Sequence, residues 1–173
     1  MASTYTLISS NVLSSSAASV TFSAIPSTYT DLVVRFSSRA ETDTAASAMQ
    51  MLLNGTTSGY SITNLRAANG TTAQSTVASS QTSLSSFYNE PNDYTASTFN
   101  NYEIYIPSYA VAQNKPLSIT GVLENNATAT NYSPLALAGL WQNTAAITTI
   151  LLKSATGNLA SGSSFYLYGI KNS

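Results

Sequence analysis

The chain contains no histidine and no cysteine, and charged residues make up only 8% of its 173 positions. Each shortage removes a class of chemistry. Without His and Cys there is no Ser–His or Cys–His nucleophilic pair and no zinc cluster. No disulfide can form either, so the redox compartment cannot be read from cysteine usage. Six Lys and Arg are too few for a phosphate-binding surface, which argues against nucleic acid as a partner. An average soluble domain carries about 25% charged residues; here the formal net charge is −1. No run approaches the ~18 apolar residues of a membrane span. The opening MASTYTLISSNVLSSS has neither a basic n-region nor an apolar h-region. A product made in the cytoplasm, with no membrane partner, is therefore expected.

Other nucleophile signatures are also missing. The residues three before Lys115, Lys153 and Lys171 are Ala112, Ile150 and Tyr168, so there is no Ser-x-x-Lys, and no G-x-S-x-G elbow occurs. Carboxylates are what remains. Glu41 with Asp43, or Glu90 with Asp93, could serve glycoside hydrolysis if held about 5–10 Å apart. Glu90, Asn92 and Asp93 could alternatively offer oxygen ligands to Ca²⁺. Turns collect such residues anyway. The expectation is a non-enzyme with no cofactor and no metal. N-x-[ST] triplets at Asn54, Asn69, Asn126 and Asn131 carry little weight in so Ser/Thr-rich a chain.

What is present is strand. Hydrophobic residues make up 43% of the chain, enough for one domain, 1–173, to bury a core. Period-2 alternation bounded by Gly, Asn, Ser and Pro predicts strands at Tyr5–Ser9, Ser19–Phe22, Asp31–Ser38, Tyr60–Arg66, Thr98–Ile106, Pro116–Leu123, Leu137–Trp141, Ile147–Lys153 and Ser164–Ile170. Asp31–Ser38 has the apolar content of a central strand. The last strand runs almost to the C-terminus and needs a partner from far upstream. Thr44–Leu53 mixes helix-forming Ala and Met with alternation of Met49, Met51 and Leu53. Asn54-Gly55 follows at once, which favours a strand over Ala48–Leu53 and a hairpin to Tyr60–Arg66. Asn69-Gly70 marks a further turn. Thr71–Ser86 reads as a long loop or a weak edge strand, Phe87–Thr98 as a loop with an aromatic rim, and 124–133 as another loop. About ten short, evenly spaced strands with no sustained helical period predict an all-β, antiparallel β-sandwich of jelly-roll type.

Tyrosine is the enriched residue type, with 11 copies. Its rigid ring and polar tip suit contacts with proteins or glycans, although strand tyrosines also simply pack on half-buried sheets. The residues singled out as a contact surface are Phe87, Tyr88, Tyr94, Tyr109 and Tyr132, in or beside predicted loops. The shortage of charge fits a subunit permanently assembled with copies of itself or a scaffold.

Three stretches carry a family resemblance. YTLISSNVLSSSAASVTFSAIPSTYTDLVVRFSSR at Tyr5–Arg39, NYEIYIPSY at Asn101–Tyr109 and GLWQNTAAITTILLKSATGNLASGSSFYLYGI at Gly139–Ile170 resemble small β-rich proteins encoded among the structural genes of tailed bacteriophages. Proteins of that kind are described as capsid decoration (cement) proteins or as tail-fibre components. The resemblance implies a virion location, a homotrimer, and the major capsid protein as partner, or a host-surface glycan for a tail module. It brings no site motif, so no residue role is carried over.

Overall fold

Twelve strands are found among the described residues of the computed structural model, which are 4–42, 47–68, 72–89, 95–124 and 134–171. They are β1 (Tyr5–Val12), β2 (Ser19–Phe22), β3 (Asp31–Ser37), β4 (Ala48–Leu53), β5 (Tyr60–Ala68), β6 (Thr72–Gln81), β7 (Leu84–Tyr88), β8 (Asn101–Ile106), β9 (Lys115–Val122), β10 (Leu135–Trp141), β11 (Ile150–Ser154) and β12 (Ser164–Ile170). Two antiparallel sheets pack together as a β-sandwich. The larger has the order β1-β12-β3-β8-β9-β10-β5-β6 and the smaller β2-β11-β4-β7.

Eight strands form nested antiparallel pairs: β1 with β12, β2 with β11, β3 with β8 and β4 with β7. The other four extend the larger sheet beyond β8. The C-terminal strand lies between β1 and β3, so the first and last strands of the chain close on each other. β3 sits inside the larger sheet, as its Leu32, Val34 and Phe36 content requires. Their inner faces, together with Met49, Met51 and Leu53 of β4 and Ile150 and Leu152 of β11, form one continuous core. Phe36 is its aromatic centre, stacked 5.3 Å from Tyr102 and 5.6 Å from Phe165, with Phe87 tilted at 6.2 Å. Gly121 makes one of these contacts possible. A Cβ there would lie 2.1 Å from the Tyr102 ring, so only glycine lets the ring lie flat on β9.

Several expectations need correction. Asn54-Gly55 is a turn, with φ of 51° and 68°, but it does not make a hairpin. β4 belongs to the smaller sheet and β5 to the larger, so the turn carries the chain across the sandwich. Asn54 is used up elsewhere. Its Oδ1 accepts from the backbone N–H of Thr148 at 2.8 Å and Thr149 at 3.1 Å, and its Nδ2 donates to the Ala146 carbonyl at 2.8 Å. The same clamp takes 147–149 out of the last-but-one strand, which begins at Ile150 rather than Ile147. For 71–86 the edge-strand alternative holds, since β6 is the edge of the larger sheet, but the region also contains the start of β7, which lies in the smaller sheet. Phe87 and Tyr88 belong to β7, not to a loop. The turn expected at Asn69-Gly70 lies outside the described residues.

Candidate functional site

The two faces of the larger sheet differ. The inner face is buried by the smaller sheet along much of its width, while no layer of the described residues covers the outer face. Of the eight large apolar side chains exposed among the described residues, seven lie on that outer face: Tyr5, Leu7 and Val12 of β1, Leu65 of β5, Val77 of β6, Tyr105 of β8 and Val122 of β9. Between Leu65 and Val122 the floor is made of small residues, Thr63, Ser118, Thr120, Ala136 and Ala138. They leave a shallow apolar trough. Antiparallel register puts these residues on one surface because directly paired residues share a face.

The opposite end of the face is aromatic. Tyr5 meets Tyr168 edge-on at 6.2 Å, and Tyr168 stacks with Tyr166 at 6.4 Å. The Arg35 guanidinium lies 5.2 Å from the Tyr5 ring and 5.9 Å from that of Tyr168. It also pairs with Glu103, directly opposite in register, at 2.7 Å. That hydrogen bond raises the Arg35 pKa above its usual value, a small matter for an exposed group that is always charged. Asp31, the remaining charge on this face, accepts from the Tyr105 hydroxyl at 2.9 Å and from the Ser108 N–H at 2.8 Å. The bond to Asp31, reinforced by burial, pushes the Tyr105 phenol above its usual 10.0. All three charged side chains of the strands on this face are thus engaged within it.

The residues expected to form the contact surface are placed otherwise. Phe87 and Tyr109 have no exposed surface at all. Phe87 packs against Phe36 and Tyr102 in the core, and the Tyr109 hydroxyl donates to the Pro26 carbonyl, with burial raising its pKa. Neither side chain has surface to offer a partner. Tyr88 is half-buried, its hydroxyl accepting from Arg66 Nη1 at 2.7 Å while the guanidinium lies 5.4 Å from its ring. Tyr94 and Tyr132 lie outside the described residues, as do Asp43, Glu90, Asn92 and Asp93. Glu41 is exposed, and no group of three metal-ligating side chains occurs among the described residues.

Two buried polar features escaped the sequence reading. Lys115 has no exposed surface, yet its Nζ donates to the carbonyls of Val111 at 2.6 Å, Thr144 at 3.4 Å and Gln113. Burial lowers its pKa, and the carbonyl cage makes it a clamp on the turn before β9. At the other end, Ser38, Asn89, Asn100, Ser154 and Ser47 form a buried hydrogen-bonded chain joining the two sheets. Nothing in one-dimensional patterning separates these residues from the many Ser and Asn of the turns.

No protein family, curated protein or solved structure matches this chain.

Proposed function

We propose that this chain is a non-enzymatic virion structural protein of a tailed bacteriophage, a capsid decoration subunit that clamps neighbouring major capsid proteins. The observation that carries the reading is the outer face of the larger sheet: broad, apolar in seven exposed side chains, and with its three charges engaged among themselves and their neighbours. Such a face suits permanent contact with other subunits, because exposed apolar patches of this kind mark interaction sites. The resemblance of Tyr5–Arg39, Asn101–Tyr109 and Gly139–Ile170 to phage structural proteins supports the same assignment.

The sandwich is proposed to be of jelly-roll type. The nested pairs β1:β12, β2:β11, β3:β8 and β4:β7, split between the two sheets as 1-12-3-8 and 2-11-4-7, support that reading, with β5–β6 and β9–β10 as insertions. The working unit is proposed to be a homotrimer in the virion, which gains hold on the shell by touching several capsid subunits at once, so that modest contacts add up. Light scattering of the purified protein followed by co-sedimentation with expanded capsids tests this. A trimer that sediments with expanded capsids and not with unassembled capsid subunits is the expected result. A monomer that ignores capsids and binds host cells would overturn it in favour of a tail module recognising a surface glycan.

A further inference from the structure

We propose that β6 is an assembly strand, which pairs antiparallel with β6 of a second copy of this chain across a two-fold axis at Ser75. The inference stands on the edge of the larger sheet and holds whether or not the protein decorates a capsid.

Thr72–Gln81 is the longest strand of the fold and buries no residue on either face. It closes the order of the larger sheet, with β5 on one side and no described strand on the other. Of its apolar residues only Ala78 packs against the core, so this ten-residue edge gains little from it, and isolated two-stranded extensions are marginal in water. Natural edges of this length are normally blunted by charge, proline, shortness or a bulge. The other three edges are short or broken mid-strand, whereas β6 shifts register only towards its C-terminal end. β2 has four residues and β7 five, and β1 has a bulge between Leu7 and Ser9. β6 contains no Lys, Arg, Asp, Glu or Pro. Its register against β5 runs unbroken from Thr72 to Ala78 and shifts only beyond that.

The centre of that unbroken run is Ser75, and the run complements itself about this point. A two-fold axis there sets Ser75 opposite Ser75 of the second copy, Ala73 opposite Val77, and Gln74 opposite Thr76. On the outer face Ala73 meets Val77 on either side of the Ser75 pair; on the inner face Gln74 meets Thr76, and Thr72 meets Ala78 at the ends of the run. Leu65, paired with Ser75 from β5 and well exposed, would flank the seam from both copies. β6 itself brings no charge to the approach, and Arg66, on the neighbouring strand, is engaged by Gln74 and Tyr88. Seven residues at roughly 3.4 Å each give a seam of roughly 24 Å. Only one strand wide, a seam of that length falls short of the ~1,200 Å² of total buried area typical of stable complexes. The pairing is therefore weak alone and effective between copies already held side by side.

Because the chain has no native cysteine, single cysteines report the contact cleanly. Cα atoms of directly opposed antiparallel residues lie about 4.5–5.5 Å apart, within disulfide reach. Under mild oxidation the full-length Ser75→Cys protein should form covalent dimers roughly ten-fold faster, or more, than Ser118→Cys, which lies mid-face on β9. In light scattering at high concentration, Ser75→Lys and Ser75→Glu should each lose the two-fold species, and mixing the two should restore it as a species containing both variants. The mixing arm separates a broken contact from a broken fold. Equal cross-linking at Ser75 and Ser118, or Lys and Glu variants whose mixture stays apart, would overturn the proposal.

Discussion

At the scale of single residues, stability concentrates in a few side chains with many dependants. Phe36 touches three other rings, so Phe36→Ala should cost about 3–5 kcal/mol, read as a shift of the denaturant midpoint at unchanged slope. Asn100 is the hub of the buried polar chain. Its Oδ1 accepts from the Ser38 N–H at 2.7 Å and its Nδ2 donates to the Tyr88 carbonyl at 2.8 Å. Asn100→Ala strands both partners and should cost about 2–3 kcal/mol by the same measurement. Tyr105 gives a pH signature. Its folded pKa is raised above 10.0, so its contribution is full below pH 10 and is lost as pH rises through the folded value, where the phenolate would face Asp31. Lys115 acts oppositely: burial lowers its pKa from 10.5, so its share of stability grows as pH climbs from the lowered value to 10.5. Comparing melting of the parent and Tyr105→Phe isolates the tyrosine. The parent should be more stable at pH 8 by under about 1 kcal/mol, since the side chain is partly exposed. That advantage should shrink above pH 10.

At the scale of elements, turns and strand contacts do distinct work. The Asn54-Gly55 turn joins the two sheets and also holds 146–149 in place. Asn54→Ala should therefore loosen a segment far away in sequence. Hydrogen exchange of the Thr148 and Thr149 amides should rise well before global unfolding, as expected for a local opening. Gly121→Ala meets both the Tyr102 ring and the Asn101 carbonyl, 2.5 Å from the added carbon. It should cost about 1–3 kcal/mol, the usual range for overpacking a close contact. A thermal midpoint unchanged in Gly121→Ala would show that β8 and β9 are not packed as described.

At the scale of the whole molecule, the dominant fact is a wide sheet that the described residues cover on one face only. Circular dichroism should show β-structure with little helix, and helix above about a quarter of residues would contradict the sandwich. Few charges are available to be screened, so the melting temperature and any assembly through the outer face should change little from low to molar salt. A strongly salt-dependent assembly would point to a charged contact that this face does not offer.

Composition and alternation alone determined most of the strand content, β7 and the choice between loop and strand for β6 excepted. Apolar and polar residues repeating with period two, punctuated by Gly, Asn and Pro, placed Asp31–Ser38 and Ser164–Ile170 within a residue of their observed ends, and the C-terminal strand did need a distant partner. Tertiary structure decided which strands pair and which face is bare. Asn-Gly dictates a tight turn, but whether the chain then doubles back or crosses to the other sheet depends on what the asparagine side chain meets, here residues some ninety positions away. Both faces of Ser164–Ile170 are apolar or aromatic, so periodicity separated Phe165 and Leu167 from Tyr166 and Tyr168 without saying which pair faces the core. Sequence patterning places the candidate contact tyrosines in loops, where local sequence is irregular. Those visible there are core or clamp residues, and the exposed apolar surface lies on the strands. Burial is a property of the second layer, and a one-dimensional pattern does not contain the second layer.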